Sequence, residues 1–182
     1  AISPAWNGAF ALAALHTDID DIVALRIDAP SDVLHNNLLE MATWLSYASS
    51  RLEWRSTILK KLGNMFVAPT QYRVARERIA AALIGTRDPG VLRVFSLGVT
   101  HPNPHVRLLS VLGLGAIRAE ANIPDITSLL DDPVDDVKLA AALALGAIGT
   151  EPALEEMIVA FTTPNERIQQ AIAEAFAAIP SE

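Results

Sequence analysis

Two stretches of this chain are near copies of each other. Residues 106–117 read VRLLSVLGLGAI and residues 137–148 read VKLAAALALGAI, identical at seven of twelve positions. Lys138 is the only polar side chain in the second copy. A helix that meets water keeps a polar face, so this one requires neighbours on several sides. A nearly apolar helix that recurs at a fixed period of about 30 residues predicts a stacked helical array.

The period extends beyond the two copies. Arg76, Arg107 and Lys138 follow it, with Gln169 next; so do Leu83, Leu114, Leu145 and Phe176. Pro102, Pro133 and Pro164 share the spacing, each expected just inside a helix start, where the missing N–H costs nothing. Asp132 is the expected N-cap before Pro133. Shorter second helices are expected over about 89–99, 124–130 and 152–161. The helix after residue 164 carries Gln169, Gln170 and Glu174 where its predecessors are more apolar, as a terminal capping unit requires. Ala and Leu supply much of the 51% hydrophobic content and aromatics only 5%, which favours helix layers over a β core.

Residues 1–70 show no such period. Apolar spacing predicts helices over 9–15, 16–27 and 31–50, and another over about 52–66. In the last, Leu52, Leu59, Leu62 and Phe66 form one apolar side and Trp54, Ile58 and Met65 another. The expected organisation is a helical N-terminal cap, 1–70, followed by repeats over 71–182: about 71–100, 101–131, 132–162 and a half repeat at 163–180.

Residues 131–158, DDPVDDVKLAAALALGAIGTEPALEEMI, resemble a HEAT-like repeat of the short bacterial, phycobilisome-lyase type. They show its Asp-Pro, Val-Lys, Ala/Leu run ending Leu-Gly-x-Ile-Gly, and Pro-led second helix. Residues 100–130 match less fully, 162–180 match as a half repeat and 74–100 match weakly. The resemblance implies an all-α, right-handed α-α superhelix, a HEAT-like solenoid. Some proteins with this repeat are chromophore lyases or isomerases, so the resemblance also implies that alternative.

Charge divides the chain. The net charge is −7, which counts against a general nucleic-acid binder. Residues 51–93 nevertheless carry a balance of +6 and residues 118–166 one of −8. The basic stretch leaves nucleic-acid binding as a second alternative and suggests an acidic protein surface as partner. The candidate partner-binding residues are Trp44, Trp54, Arg51, Arg55, Arg73, Arg76 and Arg93. For the tryptophans, interface anchoring competes with simple core packing. Arg76, Arg107 and Lys138 are also expected to form a structural ladder between repeats, through carbonyls or Asp side chains.

Catalytic signals are weak. His101 and His105 are four apart, but Pro102 and Pro104 between them remove the helical geometry that would place both on one metal. GLG at 113–115 lacks the rest of a phosphate loop and fits close helix packing better. Ser110 has no nucleophile partner spacing. The absence of cysteine excludes a thiol nucleophile and Cys-based metal sites. The expectation is therefore a non-catalytic, cofactor-free protein-interaction or scaffolding module without a transmembrane segment. The lack of cysteine and the start at Ala1 lean toward an exported or trimmed chain, with bacterial cytoplasm and periplasm both open. Oligomeric state is left open by the sequence. The apolar strip of Ser110, Val111, Leu114, Ala141, Ala142 and Leu145 is expected to be covered by the N-terminal cap, 1–70, or by a partner.

Overall fold

The computed structural model describes residues 7–16, 19–27, 34–49, 52–162 and 164–178. Among the described residues, all regular structure is helical. The chain forms two compact units, Ala1–Val91 and Leu92–Glu182.

The first unit contains α1 (Asn7–His16), α2 (Asp20–Ile27), α3 (Asn36–Trp44), α4 (Glu53–Val67) and α5 (Arg73–Gly85). Helix α3 packs against α1, α2, α4 and α5, and α4 also packs against α2 and α5. The helix expected from residue 31 begins later, at Asn36, behind a left-handed His35 with φ 56°. Ser31 and Asp32, at the expected start, lie outside the described residues. In α4 the two expected apolar sides resolve into one buried stripe, Trp54, Ile58, Leu62 and Phe66. Four-residue spacing drifts only about 40° per step, so a stripe of four still faces one core.

The second unit begins in the first turn of α6 (Gly90–Gly98). It continues with α7 (Pro104–Ala116), α8 (Ile123–Ser128), α9 (Asp135–Ile148), α10 (Glu151–Phe161) and α11 (Glu166–Ala178). Helices α5, α7, α9 and α11 begin at positions 73, 104, 135 and 166, so the observed starts keep the period of the sequence without a slip. Helix α9 packs against α7, α8, α10 and α11. That accounts for its near lack of polar residues. Val111, Leu114, Ala141, Ala142, Leu145 and Ser110 are all fully buried. With α9 packed among helices of its own unit, its part of the apolar strip needs no further cover. The expectation that residues 1–70 or a partner cover it is corrected for α9.

Two backbone devices repeat with the array. The residue that leaves the first helix in the left-handed conformation is Arg87 after α5, Arg118 after α7 and Gly149 after α9. These follow the same period, and only the last is the glycine that this conformation favours. After α7, Ala119 N–H donates to Leu114 O and Arg118 N–H to Gly115 O, the paired bonds of a Schellman cap. Helix starts are set by short side-chain turns. Asp88, Asn103, Asp132 and Asn165 each accept a bond from the N–H two residues on. Asp132 therefore lies ahead of the cap position of α9, whose N-cap is Val134. Pro102, Pro133 and Pro164 sit two residues ahead of their helices rather than inside them.

The close-packing expectation for 113–115 has a direct cause. A Cβ on Gly115 would lie 2.7 Å from Ala144 Cα and 2.9 Å from its Cβ. A Cβ on Gly113 would lie 2.5 Å from the Phe95 ring. The backbones of α7 and α9 approach too closely for a side chain at residue 115.

Candidate functional site: a carbonyl-binding ladder and the surface it leaves free

The cations singled out in the sequence fall into two groups. One group is consumed by the fold. Arg76 at the start of α5 is 3% exposed and donates from Nε to Phe66 O (2.8 Å) and from Nη2 to Ala68 O (2.7 Å), at the end of α4. Arg107 in α7 donates to His101 O (2.9 Å) and Pro102 O (3.1 Å) in the loop ahead of it. Gln169 in α11 donates to Phe161 O (3.0 Å) at the end of α10. The final carbonyls of a helix have no partner within it, and a donor from the next helix satisfies them.

Arg55 obeys the same rule, although the period does not reach it. Its Nη1 donates to Leu45 O (2.5 Å) and Ala48 O (2.7 Å), just beyond α3. Its separation from Arg76 is shorter than the repeat, so periodicity gives no signal for it. Only burial, 8% exposed, identifies it as a rung rather than a surface contact.

Two rungs are also locked by an aspartate of an Asp-Pro pair. Arg55 Nε and Nη2 donate to Asp88 Oδ2 at 3.1 and 2.5 Å. Arg107 donates from Nε to Asp132 Oδ2 (2.7 Å) and from Nη2 to Oδ1 (2.8 Å). Asp132 Oδ1 also accepts from Val134 N–H at 2.9 Å. One carboxylate thus sets a helix start and ties it to the helix before. Burial pushes the Asp132 carboxyl up, but the Arg107 and Val134 hydrogen bonds and the charges of Arg107 and Lys138 outweigh it and hold it below its ordinary value. The hydrogen bond from Arg107 to Asp132 raises the guanidinium in turn. Arg76, which relies on carbonyls, is lowered by burial.

Lys138 departs from the expected ladder. It donates to Asp135 Oδ1 (3.1 Å) in the first turn of its own helix. Arg167 of α11 reaches the other oxygen of Asp135 and makes the link between α11 and α9.

The aromatic candidates also belong to the interior. Trp44 is fully buried, 5.5 Å from the Phe10 ring, with the Arg26 guanidinium 5.3 Å from its centroid. Arg26 is held by Asn37 and Glu40. Trp54 is buried in the α4 stripe. Trp44, Trp54, Arg55 and Arg76 are therefore withdrawn from any contact surface, while Arg51 lies outside the described residues. Arg73 and Arg93 are exposed. Arg73 pairs loosely with Glu77 (3.3 Å), between Tyr72 at 66% and Val74 at 59% exposure. Sequence reasoning passed over these last two because neither falls on the buried face or on the repeat register.

His101 lies in the loop and its Nδ1 accepts from Asn103 N–H. Among the described residues, no three His, Asp or Glu side chains are grouped to hold a metal ion. A cavity of about 50 Å³ beside Arg26, His35, Asn37 and Lys61 has room for water. Enclosed small-molecule sites run to roughly 300–1,000 Å³. No helix among the described residues is long and apolar enough to cross a membrane.

Helix pairs at a fixed period, joined by carbonyl-binding rungs, define an α-helical repeat protein. The sequence pattern of HEAT repeats matches residues 59–144 and, overlapping, 123–182. The chain belongs to the HEAT-repeat family. No curated protein matches the sequence. HEAT repeats are generally protein-interaction scaffolds and are typically non-catalytic.

Proposed function

We propose that this chain is a non-catalytic scaffolding module that holds a protein partner on outward helix faces. Residues 1–70 serve as its helical cap and 71–182 as its repeats. The supporting observation is the exposed start of α5, where the N-cap Tyr72 and Val74 are more than half exposed on either side of Arg73. Tyr and Arg are the residue types enriched at interface anchors, and Val74 beside them adds exposed apolar area. The same face suits a partner with acidic residues around an apolar centre. Of the basic stretch at 51–93, Arg55 and Arg76 are committed to carbonyls, which reduces what it offers to phosphates and favours protein over nucleic acid.

A photoreactive residue at Val74, introduced in the native host, tests this. A discrete cross-linked band that Tyr72→Ala and Arg73→Glu abolish is expected. Cross-linking no stronger than at exposed Ser56, or bands insensitive to both changes, would remove the α5 face as the binding surface.

A further inference from the structure

One side-chain amide joins the start of α3 to the start of α5. Gln71 Oε1 accepts from the N–H of Tyr72, the N-cap of α5, at 3.1 Å. That bond turns Gln71 Nε2 toward His35 Nε2 (3.2 Å), with Met65 O at 3.5 Å. An amide N–H donates and cannot accept, so His35 Nε2 is the acceptor and the ring proton sits on Nδ1. Nδ1 is buried and meets no protein partner. His35 takes the left-handed backbone conformation, φ 56°, and Arg78 holds both of its chain neighbours, donating to Leu34 O (3.2 Å) and Asn36 Oδ1 (2.8 Å). A residue of this size keeps that conformation only where its surroundings fix it.

A second proton on the ring removes the acceptor. The imidazolium donates from both nitrogens, so its Nε2–H would face the Gln71 N–H. Either that contact breaks or the amide turns over. A turned amide accepts from His35 but sets its own N–H against Tyr72 N–H, and the bond to the N-cap of α5 is lost. No orientation of Gln71 serves both ends once the ring is charged. The charged groups that face His35 do not replace the lost link. Arg26 of α2 and Lys61 of α4 line the same cavity as the ring, Arg78 of α5 bonds its neighbours, and α1 carries no Asp, Glu, Lys or Arg. The carboxylates of these helices are placed elsewhere. Glu40 and Glu77 are bonded to Arg26 and Arg73, while Asp20, Asp21 and Glu53 occupy first turns at the ends away from Ile27 and Lys61.

We propose that His35 and Gln71 form a pH-sensitive clasp on the start of α5: a proton on His35 opens it and reshapes the surface around Tyr72, Arg73 and Val74. Histidine is the side chain that carries such a change between pH 5 and 8. The consequence for binding rests on the scaffold reading, because the same three residues are its contact surface; the clasp itself does not depend on that reading. Acidification then weakens the hold on the protein partner.

Nuclear magnetic resonance of the full chain from about pH 8 to about pH 5 tests the clasp. The His35 ring, the Gln71 side-chain amide and the Tyr72 backbone amide should titrate with one midpoint. Asn tolerates left-handed backbone and takes up no proton, so in His35→Asn the Tyr72 response should shrink about fivefold or more, with unchanged circular dichroism. Gln71→Leu should do the same while the His35 ring still titrates. A Tyr72 amide that stays still, moves with a midpoint of its own, or titrates undiminished in either variant would overturn the clasp. The photoreactive residue at Val74 reads the consequence in host lysates buffered at about pH 7.5 and about pH 5.5. Cross-linking should fall about threefold at the lower pH in the wild type and stay level in His35→Asn. Equal yields in the wild type, with Tyr72 following His35, would overturn the control of binding. Absence of any cross-link would remove the α5 surface from the scaffold reading, and the coupled titration would still decide the clasp.

Discussion

Arg107→Ala should be among the most damaging single changes outside the apolar core. Its side chain is 12% exposed and its partner Asp132 is 3% exposed. Removing the guanidinium deletes two charge-assisted bonds, at 2.7 and 2.8 Å, and leaves the carboxylate buried with only the Val134 N–H. Breaking one partner of such a pair costs about 3–5 kcal/mol. The carbonyls of His101 and Pro102 lie where water can replace the lost donor, so the low end, about 3 kcal/mol, is expected. For a chain of this length that corresponds to a fall in Tm of roughly 6–12 °C. Thermal melts at pH 7 of wild type, Arg107→Ala, Arg107→Met, Asp132→Asn and the Arg107→Met/Asp132→Asn double variant measure it. The double variant should lose much less than the sum of the singles, because no uncompensated charge remains. A single variant melting within about 2 °C of wild type, or fully additive losses, would refute the reasoning. The pH dependence follows from the same pair. The folded-state pKa of Asp132 is lowered, so its stabilisation is complete above the ordinary carboxylate range and is lost as pH falls through the lowered value. The gap in stability between wild type and Asp132→Asn should therefore shrink from about pH 5 downward.

Three further outcomes are expected from differential scanning calorimetry. Gly115→Ala should destabilise by about 1–3 kcal/mol, since the new Cβ meets Ala144 backbone at 2.7 Å and neither helix can rotate away without losing its other contacts; an unchanged Tm would show that α7 and α9 separate freely. Ser110→Ala should stabilise by about 1 kcal/mol, because Ser110 Oγ is buried without a hydrogen-bond partner and the next repeat already places Ala141 there; a loss of stability would reveal a partner for the hydroxyl. Arg118→Gly should stabilise by roughly 0.5–1 kcal/mol, the left-handed strain relieved less the added flexibility of glycine when unfolded; a destabilised variant would mean that the Arg118 side chain contributes contacts of its own.

How much of this was legible in the residues depends on the range of the interaction. Apolar spacing and proline placement are local signals, and they located most helices and the phase that α5, α7, α9 and α11 obey. The fate of the cations was not local. Arg55 and Arg73 are both arginines in one basic stretch, yet one is sealed between two carbonyls and Asp88 while the other lies in water. Lys138 occupies the ladder position by spacing, but its ammonium finds Asp135 on its own helix, and the link between neighbouring helices passes to Arg167.

The opening pair of near-identical segments therefore carries the architecture by itself. A run with one polar side chain in twelve has no stable place except among other helices, and its recurrence requires the neighbours to repeat as well. What the pair could not carry was exposure. Leu145 and Phe176 are the same position in the repeat and both are apolar, so hydropathy treats them alike. The helices packed around α9, namely α7, α8, α10 and α11, leave the first buried, and Phe176 remains 40% exposed. Burial belongs to what lies beside a residue in space, and that neighbour is supplied by the tertiary structure.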